Sequence, residues 1–344
     1  MANMIKTINT AAGGDMQQKQ VKEDFADIIY NLSPTKTPML SLAKRSATKS
    51  IEVGWFLDKL TDAVVSTGND EGGTPVDGVI EQVKRQMNVT QIFSKKVSVS
   101  GTAESVDWYG RASEMAYQMT KKAQELKRDI EVTLCAKSQA PVGGYTDNLA
   151  TASYPTAPTT GSKRTMSNYK WQIANNPLGG TTVYNNPQGG GPPLVNQKVN
   201  ENTLTGAMQM MWLKGGEPSM ALCTGPISTQ IAALALTGTG AGLSARYRDA
   251  GEGTKLVNVV DMYVTPFGEL SVAISRFLNS GETGDAVNDI FLIDPEYIDI
   301  CYLRQPKTDQ IAKTGDFDDR MIITELTFKV LAPDGVGLIT DIAS

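Results

Sequence analysis

The segment TAESVDWYGRASEMAYQMTKKAQELKRDIEVTLCAK runs from Thr102 to Lys137 and carries the clearest regular pattern in the chain. Its apolar side chains recur at steps of three or four residues, the spacing that places them on one face of an α-helix. They are Tyr109, Ala112, Ala116, Met119, Ala123, Leu126, Ile130 and Leu134. The pattern predicts one amphipathic helix over 102–137, about 50 Å long at about 1.5 Å per residue. Its apolar face is expected to cover another layer.

The composition of the 344 residues excludes several classes of function. The chain contains no histidine, which rules out Ser-His-Asp and Cys-His catalytic sets and His-ligated zinc sites. The net charge of -5 argues against a protein that mainly grips nucleic acid, because phosphate binding needs clustered Lys and Arg. Cys135, Cys223 and Cys301 are widely spaced, which indicates buried free thiols in a reducing compartment.

No segment predicts a catalytic, cofactor or metal site. The glycine-rich segment 238–242 resembles a phosphate-binding loop in composition but lacks the Gly-Lys-Ser/Thr that such a loop needs. Asp316, Asp318 and Asp319 resemble part of a calcium loop, without its spaced glycine and closing glutamate. The N-terminus lacks the basic start and apolar core of a signal peptide, and no run is long enough to span a bilayer. We expect a soluble chain, made in the cytoplasm, without catalytic residues, cofactor or metal.

Residues 1–45 are predicted to form an arm rather than a folded unit. The first 20 residues are small and polar and need a partner to become ordered. Residues 24–32 fit a short amphipathic helix that ends before the first of two prolines. The segment 34–40 then predicts an extended path that carries apolar side chains onto another surface. The arm residues expected to contact a neighbouring subunit are Phe25, Ile28, Pro34, Pro38, Met39 and Leu40.

Two strand-like runs within 46–98 predict a long β-hairpin. Residues 51–57 alternate in polarity, and residues 87–99 do so on the return, with a glycine-rich acidic tip at 66–78. A two-stranded hairpin of this length is marginal in water unless something covers it. We therefore expect it to lie on another subunit; the alternative is a hairpin folded over its own domain. The expected contact residues are Trp55, Phe56, Ile92 and Phe93.

The middle of the chain changes from loops to alternating helices and strands. Segment 142–200 is rich in Gly, Pro, Asn, Ser and Thr, which predicts loops and short strands, with Trp171 and Ile173 as its few anchors. From 202 to 306, helical and strand patterns alternate, as is typical of an α/β domain. This domain is expected to be an insertion into the domain that contains the long helix.

The tail predicts a second hairpin. Residues 320–331 and 336–342 alternate like strands on either side of Pro333-Asp334-Gly335, a hairpin turn signal. We expect these two strands to form the sheet that the long helix covers. The chain as a whole therefore belongs to the α+β class.

Several segments resemble a family of major head proteins of tailed double-stranded DNA bacteriophages. The first is EDFADIIYNLSPTKTPMLSLAKRSATKSIEVGWFLDKL at 23–60. The others are MQMMWLKGGEPSMALCTGPISTQIAAL, VVDMYVTPFGELSVAISRFL with FLIDPEYIDICYLRQP, and AKTGDFDDRMIITELTFKVLAPDGVGLI. The resemblance implies the Hong Kong 97-type capsid fold. Its parts would be an N-terminal arm (1–45), an E-loop hairpin (46–98), a P-domain with the spine helix 102–137 and a Gly/Pro/Asn-rich insertion (99–200), an A-domain (201–308) and C-terminal P-domain strands (309–344).

The resemblance implies a structural protein rather than an enzyme. Copies would assemble through pentamers and hexamers into an icosahedral shell around the genome, in the virion, after assembly in the host bacterial cytoplasm. Expected partners are the chain itself, a portal protein, scaffolding or decoration proteins, and packaged DNA bound only weakly and without sequence specificity; no membrane is expected. One alternative is an encapsulin-like nanocompartment shell that encloses protein cargo. The other is a soluble α/β enzyme.

Overall fold

The structure is a computed structural model that describes residues 32–61, 63, 65, 71–73, 78, 80–135, 139–142, 163–178, 182–185, 198–234, 262–278 and 288–342. Its helices and strands, in chain order, are α1 (Pro38–Leu42), β1 (Lys44–Ala47), β2 (Glu52–Leu57), β3 (Lys84–Val89), β4 (Gln91–Ser100), α2 (Gly101–Ser105), α3 (Glu114–Cys135), α4 (Tyr169–Ala174), β5 (Val183–Asn185), α5 (Glu201–Leu213), β6 (Met220–Cys223), α6 (Gly225–Leu234), β7 (Met262–Thr265), β8 (Gly268–Ile274), β9 (Asn288–Ile293), β10 (Ile298–Ile311), β11 (Phe317–Val330) and β12 (Gly337–Ile342). Within these ranges, every helix is too short or too polar to cross a lipid bilayer.

A four-stranded sheet and helix α3 form the first half of the fold. The strand order is β1-β10-β11-β4, with β1 parallel to β10 and the other pairs antiparallel. Alternate residues of β11 point to one face of the sheet, where they meet the apolar stripe of α3. The packed side chains are Ile322, Leu326, Phe328 and Val330 from β11 and Leu126, Ile130 and Leu134 from α3. The prediction that the long helix covers a sheet from the tail is confirmed for β11.

The helix predicted over 102–137 is two helices, so that prediction is wrong in its first third. Eight residues separate α2 from α3. The carboxylate of Glu104 accepts the backbone N–H of Met115 at 3.0 Å and the hydroxyl of Ser113 at 2.7 Å. These bonds give α3 an N-terminus of its own, because they provide acceptors for groups that the helix leaves unpaired. Tyr109, expected on the buried stripe, is exposed as a result.

A six-stranded sheet, in the order β5-β12-β9-β6-β8-β7, forms the second half of the fold. Its central strand β9 is buried on both faces. Ile290 and Leu292 pack on one side with α5 and α6. Phe291 and Ile293 pack on the other side, in the cluster that contains α3 and β11. This double burial explains why β9 reads as a continuous apolar run rather than an alternating one.

The tail does not form the predicted hairpin. β11 stays in the four-stranded sheet, whereas β12 pairs with β5 and β9 of the six-stranded sheet. The 3-10 turn Pro333–Gly335 passes the chain from one sheet to the other. Leu338 and Ile339 give the reason: they are buried in different apolar clusters, so β12 needs cover on both faces. The predicted A-domain boundary at 308 falls within β10, which belongs to the four-stranded sheet.

The alternating elements predicted within 202–306 are confirmed where the structure describes them. Helix α5, strand β6 and helix α6 follow in the predicted order, and β7 and β8 pair around the predicted turn. Residues 235–261 lie outside the described residues. Trp212 of α5 is half exposed and packs against Phe267 with ring centroids 5.7 Å apart.

The loop-rich segment 142–200 contains a core element that its composition conceals. Trp171 and Ile173 are buried as predicted, on the short helix α4. Tyr169 on the same helix is fully buried, stacks on Phe291 at 4.7 Å between centroids, and donates its hydroxyl to the carbonyl oxygen of Leu292 at 2.7 Å. α4 therefore packs between the two sheets and connects them.

We expect Tyr169→Phe to lower the free energy of unfolding by about 1–2 kcal/mol, since it removes a buried hydroxyl that is hydrogen-bonded to strand carbonyls. Urea unfolding of the unassembled chain measures this change. The control is Tyr302→Phe, which removes the hydroxyl of a partly exposed tyrosine and should shift the midpoint less. Equal shifts for both variants would contradict a bridging role for Tyr169.

Candidate assembly surfaces

The described part of the arm is held by its own chain. Pro38 begins α1, and the side chains of Met39 and Leu40 are buried in the cluster that contains α3 and β11. A side chain buried in its own core offers little surface to a neighbour, so the contact of these two residues with another subunit stays a prediction. Pro34 lies on the extended approach and is partly exposed. Phe25 and Ile28 lie outside the described residues.

A buried carboxylate on the long helix holds the arm in place. Glu131 of α3 accepts the backbone N–H groups of Met39 and Leu40, at 2.9 and 2.8 Å, one on each oxygen. These are donors of the first turn of α1, so Glu131 acts as a cap supplied by another helix. Burial raises the pKa of Glu131, and the two N–H groups work in the opposite direction. The sequence pattern did not single out Glu131, because its partners Met39 and Leu40 lie more than 90 residues earlier in the chain.

Strand β1 attaches the arm to the four-stranded sheet, at a second place besides Glu131. It pairs in parallel with the start of β10, and its Ser46 hydroxyl donates to Asp299 at 2.6 Å. Lys329 of β11 forms an ion pair with the same carboxylate at 2.9 Å. The thiol of Cys301 lies beside Ser46, and burial raises its pKa, so it stays a neutral thiol. The cluster is a structural contact between three strands.

The base of the predicted E-loop hairpin folds over its own domain. β2 and β3 form a separate two-stranded sheet, and β4 belongs to the four-stranded sheet, so 46–98 is not a single hairpin. The indole N–H of Trp55 donates to the carbonyl oxygen of Val330 at 3.0 Å, and Asn88 donates to that of Phe328 at 2.6 Å. The inference that the hairpin lies on another subunit therefore does not apply to its base.

The four predicted hairpin residues divide into two buried and two exposed side chains. Trp55 and Phe93 are 8% exposed, whereas Phe56 is 75% and Ile92 46% exposed. The division follows from the alternation of strand side chains: Trp55 and Phe56 lie on opposite faces of β2, and only Trp55 is packed against the domain. Phe56 continues a series of exposed apolar side chains along the hairpin, which also includes Leu60, Val65, Ile80 and Val83.

A cleft of ≈ 760 Å³ lies between the hairpin and the body of the chain. Among its lining residues are Phe56, Leu60, Leu178, Leu213, Tyr297 and Pro333. Phe56, Leu60 and Leu213 are exposed. Charged side chains, Lys59 and Asp334 among them, also line the cleft, so its surface is mixed rather than apolar.

An ion cluster stabilises the sheet beside Ile92. The buried carboxylate of Glu325 accepts from Arg164 at 2.7 Å, from Arg304 at 2.9 Å and from the hydroxyl of Thr90 at 2.8 Å. Burial alone would raise the pKa of Glu325, but the Thr90 and arginine contacts outweigh it and lower the pKa. Arg164 comes from the loop-rich segment, so the cluster also attaches that segment to the sheet.

We expect Glu325 to make the unassembled chain acid-sensitive. A carboxylate with a lowered pKa in the folded state stabilises that state above its unfolded pKa of about 4.3 and loses this contribution as the pH falls through the folded value. The decline of unfolding free energy below about pH 4.3 should be less steep in Glu325→Gln. Urea titrations at several pH values measure it; parallel curves for both proteins would contradict the assignment.

The described residues lack a metal-binding cluster and an exposed thiol. Within them, no group of three or more Asp, Glu or Cys side chains could hold a metal ion. The three cysteines are buried and free, and burial raises the pKa of Cys223 to about 12. A thiol with such a pKa is a poor nucleophile near neutral pH.

Comparison with known proteins identifies the family. The family SU10 major capsid protein matches residues 4–343. The major capsid protein of Escherichia phage Phieco32 is 25% identical over 339 residues, covering 94% of each chain. The capsid asymmetric unit of cyanophage A-1(L) superposes with a TM-score of 0.66 at 11% identity, over 96% of this chain and 99% of that one.

A further solved structure bears on the nanocompartment alternative. The SrpI encapsulin of Synechococcus elongatus PCC 7942 has a TM-score of 0.55 at 9% identity, over 97% of each chain. At this identity the likeness shows the shared fold alone, whereas the family match extends over nearly all of the sequence. The fold is the Hong Kong 97-type capsid fold. The chain belongs to the SU10 major capsid protein family.

Proposed function

We propose that copies of this chain assemble through pentamers and hexamers into an icosahedral shell that encloses the double-stranded DNA of a tailed phage. The chain is a structural, shell-forming major capsid protein, and its place is the virion. The numbers of subunits in each ring, the DNA content and assembly in the host bacterial cytoplasm are parts of the proposal. So are a portal protein and scaffolding or decoration proteins as further partners.

The observation that carries the proposal is the set of exposed apolar side chains on the hairpin. Phe56, Leu60 and Ile80 are exposed on a segment whose base is tied to its own domain by Trp55. Leaving this much apolar surface in water is unfavourable, at about 25 cal/mol per Å². A neighbouring copy that lies under the hairpin would cover it, and the same contact repeated around an axis closes a ring.

The charge balance supports a shell that contains DNA without gripping it. The net charge of -5 disfavours tight phosphate binding over the whole chain. We therefore expect packaged DNA to be held by enclosure. Particles that retain DNA after being opened in high salt would contradict this part of the proposal.

Sedimentation velocity of the purified, tag-free protein tests the proposal, followed by negative-stain microscopy of the fastest species. Rings or megadalton shells are the expected result. A chain that stays a 37.0 kDa monomer at high concentration, also with its phage scaffold co-expressed, would overturn it. Nuclease-protected DNA inside particles from infected cells distinguishes a phage shell from a nanocompartment, which would contain protein.

A further inference from the structure

We propose that the solvent-facing side of α3 and the cations beside it form a weak, sequence-independent contact with the phosphates of duplex DNA. The inference deepens the proposed function, on which it rests, because it names the part of the chain that meets the packaged genome. This surface is called the basic face below. It consists of Lys95 on β4, Lys121, Lys122, Lys127 and Arg128 on α3, and Arg276 just after β8.

The helix itself supplies the centre of the basic face. Lys121 and Arg128 are seven residues apart, so they lie on one side of α3, two turns or about 10 Å apart. That side is opposite the stripe with Leu126 and Ile130, which packs on β11. Lys121 and Lys127 are exposed. The ion pairs that α3 forms within the described ranges involve other side chains, so these two lysines are available to a partner.

Tertiary contacts add cations from outside the helix. Lys95 of β4 pairs with Asp129 of α3 at 2.5 Å. The guanidinium of Arg128 lies over the ring of Phe277 at 5.5 Å, and Arg276, the residue before Phe277, is exposed. Residues that are far apart in the sequence thus meet on one surface, which is why the composition of the chain does not reveal the cluster.

The basic face has an excess of positive charge on a chain that is negative overall. Its six cations stand against three carboxylates, those of Glu125, Asp129 and the buried Glu131, which leaves a net charge of +3. The rest of the chain therefore carries a net charge of -8, since the total is -5. Charges that are further away than about 8 Å are largely screened at physiological salt. The local excess, rather than the total, decides what this surface attracts.

The side chains of the basic face favour nucleic acid over a folded protein. Every large apolar side chain of α3 is buried or half-buried. Protein contacts depend on aromatic and apolar side chains at their centre, such as those exposed on the hairpin. Lysines on flexible stems act instead as point charges, which suit phosphates and read no sequence. The occupant that fits is a polyanion bound through its backbone.

The contact is expected to be weak and sensitive to salt. Lys122 and Lys95 are already paired with Glu125 and Asp129, so each subunit can neutralise only a few phosphates. For duplex DNA, the logarithm of the affinity falls with the logarithm of the salt concentration by about 0.9 for each phosphate contact. High salt therefore releases the DNA, in agreement with a shell that holds its genome mainly by enclosure. Assembly then has to place α3 on the inner wall.

The test is binding of a fluorescent duplex of random sequence to the purified full-length chain at several salt concentrations. The variant is Lys121→Gln/Lys127→Gln, and the matched control is Lys163→Gln/Lys313→Gln, which removes two exposed lysines elsewhere. At low salt the variant should bind at least about tenfold more weakly, with a salt slope reduced by about 0.9 for each lost contact, and the control should bind like the unmodified chain.

Three results would overturn the proposal. Equal losses in the variant and the control would mean that total charge, rather than the basic face, accounts for binding. No binding by the unmodified chain at low salt would leave the face without its partner. Binding of poly-glutamate but not of the duplex would indicate an acidic protein instead of DNA.

A second measurement uses intact particles from infected cells and needs no variant. Acetylation of lysines is compared between DNA-filled particles and particles emptied of DNA, and the modified residues are mapped by mass spectrometry. Lys121 and Lys127 should react at least about twofold more slowly in filled particles, whereas Lys163 and Lys313 should react equally in both. Equal rates for Lys121 and Lys127 would overturn the proposal. Particles that never contain DNA would instead overturn the proposed function itself.

Discussion

Phe56→Asp is expected to give a folded chain that no longer closes into shells. The side chain is 75% exposed in the single chain and lies on the outer side of β2, so its replacement leaves the core intact. In the assembly it would be covered by a neighbour, where an apolar side chain of this size contributes about 2 kcal/mol. Losing that contribution weakens each contact about thirtyfold, and a buried aspartate costs more. Because a shell repeats the contact in every subunit, the losses accumulate.

The neighbouring residue provides the matched comparison. Trp55→Ala removes a buried ring and its hydrogen bond to Val330, so we expect a loss of about 3–5 kcal/mol in the unfolding free energy of the chain itself. Substitutions at two adjacent residues should thus have different effects: Phe56→Asp impairs assembly, and Trp55→Ala impairs folding. Sedimentation velocity with urea unfolding separates the two outcomes. Wild-type shells from Phe56→Asp would contradict the role of the hairpin.

Glu131→Ala is expected to release the arm. The change leaves the buried N–H groups of Met39 and Leu40 without their acceptors and costs about 3–5 kcal/mol. Since α1 and β1 are short, this loss should undock residues 32–47 before the rest of the chain unfolds. Trypsin should then cleave after Lys44 and Arg45, which β1 holds against β10 in the intact protein.

Two variants show whether the effect depends on the two hydrogen bonds that the Glu131 carboxylate accepts from the arm. Glu125→Ala removes another carboxylate from α3, one that pairs with nearby Lys122 on the same helix, and should change trypsin sensitivity little. Glu131→Gln keeps one acceptor oxygen and should give an intermediate cleavage rate. Peptide mapping by mass spectrometry measures the rates in an assembly-deficient background such as Phe56→Asp. Equal cleavage of Glu131→Ala and Glu125→Ala would contradict the claim that Glu131 holds the arm in place.

Local sequence patterns predicted where the helices and strands lie better than they predicted which of them pack or pair together. The helical period was correct from Met119 to Leu134, because those side chains face the sheet continuously. It failed before Glu114, because a single carboxylate, Glu104, caps a new helix from outside the repeat. The segment Pro333-Asp334-Gly335 does turn the chain, but the turn leads into a different sheet.

The candidate contacts divide in the same way. Alternation in the sequence separated Trp55 from Phe56 and Ile92 from Phe93, but it does not say which member of each pair faces inward. Trp55 faces inward because its indole N–H binds Val330 of β11, 275 residues further along the chain. Phe93 faces inward because it packs in the cluster that contains α3. Met39 and Leu40 became core residues for the same reason: Glu131, 91 or 92 residues away, draws their backbone inward.

The amino-acid sequence alone therefore determined the class of fold, the order of its elements, the absence of histidine chemistry and the resemblance to phage head proteins. Those properties depend on composition, on periods of two and 3.6 residues, and on ordered motifs, all of which are local. Tertiary structure alone decided which strands share a sheet, where the long helix begins, and which apolar side chains remain exposed. These outcomes depend on burial and hydrogen bonding between residues far apart in the chain, which no local pattern records.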